Sequence, residues 1–273
     1  MFYRRFLLDL VMIATISGGC STPERHAMSF AYNHGLSPLL MRGTVFQHRA
    51  FWAARGTPDL LVVFIDGDGS PWTHGGRRIA RDPTPRVPLA LELAASTPAS
   101  VLYLGRPCYL QITQPPECSE RLWTSQRYSG VVVASMSAAA SAFVSEHHFK
   151  HVLLVGYSGG GALAVLMAGA LPGISGVVTI AGNLDPDKWT ALHGYLPLQG
   201  SLNPALEPPL PADLKQWYLA GERDTNIPAT VTARYLQRTA PERVWSYARF
   251  DHVCCWTREW PAIFSKIQAE LAQ

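Results

Sequence analysis

The stretch from His151 to Leu171 constrains the chain most. It runs from HVLLV through Gly156-Tyr157-Ser158-Gly159-Gly160 into GALAVLMAGAL, and Pro172 stops it. Residues 152–155 form a short apolar, β-branched run, the pattern of a strand buried on both faces. Residues 161–171 are small and apolar and predict a helix. The join is a G-x-S-x-G, and strand, sharp turn and helix in that order are the context that gives the five-residue pattern meaning. The positions two residues either side of Ser158 must be nearly bare, or strand and helix could not pack closely. The helix start also aims backbone N–H groups at the hydroxyl, where negative charge develops if it attacks a carbonyl.

The rest of the chain alternates in the same way. Apolar runs at 60–65, 100–104, 176–180, 216–220 and 244–250 predict strands, and residues 42–53 predict a first strand or hairpin. Residues 88–95, 129–146, 229–238 and 260–271 predict helices. Such alternation implies an α/β fold, a mostly parallel sheet with helices on both faces. Ligands of such sheets bind beyond the C-terminal strand ends, where Ser158 lies. Residues 183–213 are rich in Pro and Leu without clear periodicity and read as a cap-like insertion. The domain spans 44–273, preceded by a tether and N-terminal segment at 21–43.

A serine hydroxyl needs a base to take its proton, and the base is usually a histidine oriented by a buried carboxylate. His252 follows the 244–250 strand and is the expected base; His193 falls in the irregular insertion. Asp224 ends the 216–220 strand in Gly221-Glu222-Arg223-Asp224 and is the expected acid. Asp251, Asp185 and Asp187 are its rivals. An oxyanion would be held by the N–H of Gly159 and by a second donor after the 60–65 strand, at Asp68 or alternatively Gly67. The Asp66 and Asp68 carboxylates would then point away or pair with a cation such as Arg106.

Bulk properties exclude several classes. Of 273 residues, 48% are hydrophobic and 16% charged, so the chain is not a disordered one. The formal charge is only +3 and no basic run interleaves with aromatics, so no nucleic-acid partner is expected. Arg4 and Arg5, an apolar run over 6–16 and the small residues 17–19 before Cys20 form a secretory signal over 1–20. Of five cysteines, Cys108, Cys118, Cys254 and Cys255 remain after Cys20, an even number that suits disulfides in an exported protein. Cys108 with Cys118 is the simplest pair. Cys254 and Cys255 are then a vicinal disulfide or free thiols. No second C-x-x-C pair supports zinc, and no metal is expected.

The chain resembles an α/β-hydrolase, and more narrowly a group of exported bacterial hydrolases of poorly defined substrate. FIDGDGSPW at 64–72, YLGRPC at 103–108, GYSGGG at 156–161, GERD at 221–224 and DHVCCW at 251–256 carry the resemblance. It implies an α/β-hydrolase fold and a triad of Ser158, Asp224 and His252. It also implies a serine hydrolase of carboxylic esters, with peptidase, thioesterase or acyltransferase activity on the same site as the alternative, or a non-catalytic envelope lipoprotein. No cofactor is expected, and the partner would be a small ester or acyl substrate. The leader's end resembles the lipobox of bacterial lipoproteins, which implies lipidation at Cys20 and a cell-envelope location, on the outer membrane or in the periplasm. The membrane would be met only through that anchor.

Overall fold

Strands that carry apolar residues at every position must be covered on both sides. The computed structural model describes residues 22–56, 59–110, 118–239 and 243–273. The expected signal and Cys20 lie outside the described residues. Helix α1 (Pro23–Asn33) leads into strands β1 (Ser37–Arg42), β2 (Gln47–Ala53) and β3 (Leu60–Ile65). A small hairpin, β4 (Trp72–Thr73) and β5 (Arg78–Ile79), precedes α2 (Leu89–Ser96), β6 (Ser100–Leu104) and α3 (Gly130–Glu146). Then come β7 (His151–Tyr157), α4 (Gly159–Ala168), β8 (Ile174–Ile180) and α5 (Pro186–His193). The chain closes with β9 (Lys215–Gly221), α6 (Ala229–Leu236), β10 (Val244–Tyr247) and α7 (Trp256–Leu271).

Eight strands form one sheet in the order β1-β2-β6-β3-β7-β8-β9-β10. The pairs from β6 to β10 are parallel, and β1–β2 and β2–β6 are antiparallel. The register shows how the helices are divided. Phe64, Tyr103 and Phe51 stand in one row across β3, β6 and β2. Phe64 meets Trp260 of α7 edge-on, with ring centroids 5.8 Å apart. Trp52, the next residue along β2, points the other way and meets Phe143 of α3 at 5.2 Å. Helices α7 and α3 therefore cover opposite faces.

Several boundaries differ from expectation; β10, for one, ends at Tyr247 rather than at residue 250. The N-terminal segment at 21–43 holds the helix α1, which packs on β1, and β1 itself, the edge strand, so the sheet begins before the expected residue 42. The last helix begins at Trp256, one turn before the expected residue 260. Pro261 suits a first turn, but Trp256 is fully buried and its Nε1–H points at the carbonyls of Asp251 and His252, both at 3.2 Å, which fixes an earlier start. The insertion at 183–213 contains α5. Asp185 caps it by accepting the Lys188 N–H at 3.2 Å, Pro186 sits in the first turn, and Gly194 ends it at φ 65°. No described helix is long and apolar enough to cross a membrane.

Trp260 is fully buried and donates Nε1–H to Thr97 Oγ1 at 2.8 Å. Trp260→Ala is expected to lower stability by about 3–5 kcal/mol, and Trp260→Phe by only about 1–2 kcal/mol. Urea unfolding followed by circular dichroism measures both; equal losses would mean that the cavity is not the dominant cost.

Candidate active site

Strand β7 ends at Tyr157, and α4 begins at Gly159. Ser158 must turn the chain between them, and it does so at φ 52°, ψ −119°, a region that costs about 1–3 kcal/mol for a residue with a Cβ. Its N–H donates to Ile180 O at 2.9 Å, and its carbonyl accepts from Gly161 and Asn183, each at 3.0 Å. A Cβ at Gly160 would run into the carbonyls of Ile65 and Asp66, so only glycine lets α4 lie this close to β3.

Ser158 Oγ lies 3.0 Å from His252 Nε2, and His252 Nδ1 lies 2.8 Å from Asp224 Oδ2. With the imidazole proton on Nδ1, the serine hydroxyl donates to Nε2 and Nδ1–H donates to the carboxylate. Asp224 is buried, and its other oxygen accepts the N–H groups of Asn226 and Ile227, both at 2.8 Å. The His252 loop is fixed from two sides: Tyr157 Oη–H and Trp256 Nε1–H both donate to the His252 carbonyl, at 3.1 and 3.2 Å. An arrangement of this kind can remove a proton from a hydroxyl and stabilise the resulting imidazolium.

The rival acids are engaged elsewhere. Asp251 accepts the N–H groups of Val253 and Cys254 at 2.8 and 2.7 Å. Asp185 and Asp187 both accept from Asn203 Nδ2, at 2.9 and 2.8 Å. His193 contacts the Asn226 carbonyl at 2.8 Å.

The loop after β3 passes against the elbow. The Gly67 N–H is taken by Asp66 Oδ1 at 2.9 Å. No described residue accepts from the N–H of Asp68, nor from that of Gly159, which as the first residue of α4 has no acceptor within the helix. Asp68 turns its carboxylate inward. It pairs with Arg106 at 2.6 Å, as its neighbourhood suggested, and also with Arg127 at 2.8 Å and with the Tyr128 hydroxyl at 2.7 Å. Burial alone would raise the Asp68 pKa, but the two guanidiniums hold it well below the usual carboxylate range. Nothing in the sequence marked Arg127 or Tyr128, which stand 59 and 60 positions from Asp68. The only clue was that two aspartates beside a buried turn require more positive charge than Arg106 supplies.

Cys108 is bonded to Cys118, the simplest pairing, and Cys254 to Cys255, which are therefore not free thiols. Among the described residues, no group of three or more His, Cys, Asp or Glu side chains is arranged to hold a metal ion. A cavity of about 1110 Å³ opens in front of Ser158 and His252. Trp72, Val87, Trp189, Tyr195 and Leu196 contribute apolar walls.

Neither a family model nor a curated protein matches the sequence. Solved structures do match the fold. An esterase from Pyrococcus furiosus is similar with a TM-score of 0.60 at 13% identity, over 88% of this chain and 92% of the other. The fold is that of the α/β hydrolases. A proline iminopeptidase from Mycobacterium smegmatis is similar with a TM-score of 0.58 at 14% identity, over 87% and 98% of the two chains. A serine hydrolase without a lid from Xanthomonas campestris gives 0.53 at 13% identity, over 86% and 92%.

Asp66, buried beneath the loop, carries a pH prediction. Burial pushes its pKa from the ordinary 3.8 up to about 7, against the lowering effect of the Gly67 N–H. The folded chain thus keeps a proton that the unfolded chain releases, so this contribution to stability falls as pH rises towards 7 and is level above it. His48, whose pKa burial lowers to about 4, acts in the opposite sense below about pH 6.5. Asp66→Asn leaves the His48 effect in place. From about pH 5 to about pH 8 the wild type is expected to lose roughly 3 kcal/mol relative to Asp66→Asn. Urea midpoints at the two pH values measure this, and parallel profiles would refute it.

Proposed function

We propose that the protein is a serine hydrolase acting on carboxylic esters. The hydrogen-bonded chain from Ser158 through His252 to buried Asp224 carries this reading. Ser158 Oγ attacks the ester carbonyl while His252 Nε2 takes its proton. The proton then goes to the leaving alcohol, and a new Oγ–acyl bond remains. Asp224 holds the imidazole in the required tautomer. The N–H groups of Gly159 and Asp68 receive the oxyanion, and each such donor is worth about 3 kcal/mol in the transition state. Water, deprotonated by His252, releases the acid and restores Ser158. The named activities of the similar structures, which include an esterase and a peptidase, support hydrolysis on this scaffold and leave the bond to be identified.

The residues around 183–213 shape the pocket in this reading, since Trp189, Tyr195 and Leu196 line it. We place the protein in the bacterial cell envelope, exported by residues 1–20 and lipidated at Cys20. That assignment is supported by the leader sequence alone.

Ser158→Ala is expected to abolish labelling by a fluorophosphonate and to reduce ester hydrolysis by at least about 10³-fold. Panels of esters, thioesters and aminoacyl amides then identify the bond, and an unlabelled, well-folded wild type would overturn the reading. Exchange of residues 192–200 for a Gly-Ser linker is expected to alter acyl chain-length preference; an unchanged profile would remove the segment from the pocket.

A further inference from the structure

Arg127 does not touch the reacting atoms, yet it lines the same cavity. Its side chain is almost wholly buried. Nε–H donates to Thr124 O at 2.6 Å, and Nη1–H donates to Asp68 Oδ2 at 2.8 Å. Nη2 has no acceptor among the described residues. It is not one of the buried unpartnered atoms either, which are Arg106 Nε, Ser129 Oγ, Ser137 Oγ and Asn183 Oδ1. It therefore keeps some accessible surface, and Arg127 is one of the residues that line the cavity. The Trp189 ring, 5.9 Å from Arg127 Cζ, flanks the guanidinium.

Asn183 supplies an independent sign of a ligand. It is 1% exposed, lines the same cavity, and its side-chain Oδ1 is buried without a partner; an acceptor there calls for a donor on the ligand, and the amide turned over would offer Nδ2–H to an anion instead. A buried polar group without a partner is costly unless something in the cavity meets it.

The charge balance agrees. Asp68 stands against two guanidiniums, and exposed Arg86 adds a third positive charge at the cavity. Among the described residues, the only other carboxyl in the lining is Asp66, which faces the Gly67 N–H and the Tyr103 hydroxyl. The cluster of Asp68, Arg106 and Arg127 taken by itself thus carries one net positive charge.

We infer that the cavity takes esters bearing an anionic oxygen group, a carboxylate or a phosphate, and that Arg127 binds that group through the open edge of its guanidinium. This rests on the esterase reading for the reaction but not for the binding. Arginine suits the task because its planar fork can hold Asp68 on one edge and a second anion on the other. A lysine offers a single point charge and cannot do both.

The test compares p-nitrophenyl hemiglutarate with its methyl-capped neutral form, and with the p-nitrophenyl ester of 4-phosphooxybutanoate. The wild type is expected to prefer a charged ester in kcat/KM by about tenfold or more at low salt, with the gap narrowing as salt rises. Which charged ester leads decides between carboxylate and phosphate. Arg127→Gln is expected to bring the charged-to-neutral ratio near one, and Arg127→Lys to give an intermediate ratio. Fluorophosphonate labelling reports whether each variant keeps a competent Ser158. If Arg127→Gln fails to fold, the salt dependence and the Arg127→Lys ratio decide. Calorimetry of glutarate and of inorganic phosphate with Ser158→Ala needs no turnover. Binding of either anion that Arg127→Lys weakens supports the subsite even if no ester is hydrolysed, in which case the esterase reading falls alone. Hydrolysis of the neutral ester without charged preference, or a ratio unchanged in Arg127→Gln, overturns the subsite and leaves the esterase reading standing. Absence of both anion binding and charged preference overturns it as well.

Discussion

The unfavourable backbone at Ser158 is the constraint on which the site depends. A serine at φ 52° and ψ −119° does not stay there unaided. It is held by three backbone hydrogen bonds, one to the end of β8 and two from the residues that follow it on α4 and after β8. The bare flank of α4 lets the helix press against the β3 carbonyls. Removing any of these supports would allow the turn to relax and withdraw the hydroxyl from His252. The sheet's apolar interior therefore stabilises more than the fold; it offsets the strain that presents one side chain.

Asp68 is the second such point. Its carboxylate lies behind Gly159, where any side chain on that glycine would collide with it and with the Tyr128 hydroxyl. In the proposed reaction, a lone carboxylate so close to the developing oxyanion would repel it. Arg106 and Arg127 remove that objection, because the pair of guanidiniums reverses the sign of the local field while the Asp68 backbone remains available. An acidic residue in this turn is thus compatible with negative charge nearby only because residues far along the chain supply the cations.

Much of this was legible in the sequence, for reasons that can be given residue by residue. Ser158, Asp224 and His252 could be nominated because each follows a strand, and strand ends are visible as apolar runs closed by Gly or polar residues. Two-sided burial erased alternation and so identified the sheet as covered on both faces. Helix α5 was missed although Asp185, Pro186 and Gly194 are good cap residues, because a helix of two turns with few apolar residues shows no period. The start of α7 was misplaced because Pro261 mimics a first turn, while the anchoring of Trp256 is a tertiary contact. Strand β1 was left unassigned in the N-terminal segment because its burial is only partial, as befits an edge. Arg127, Tyr128 and Asn183 left no local trace at all, since their positions follow from packing between distant segments.

Ser158, Asp224 and His252 come from the ends of β7 and β9 and from the loop after β10, strands that are successive neighbours, with β8, on one side of the sheet. Ser158 and His252 are 94 positions apart, and the parallel pairing between them must be complete before they meet. A chain still emerging from its synthesis, or one opened at the β10 edge, holds Ser158 as an ordinary alcohol of low reactivity. In the proposed reaction, chemical competence therefore requires this whole half of the sheet, β7 to β10, to be in place.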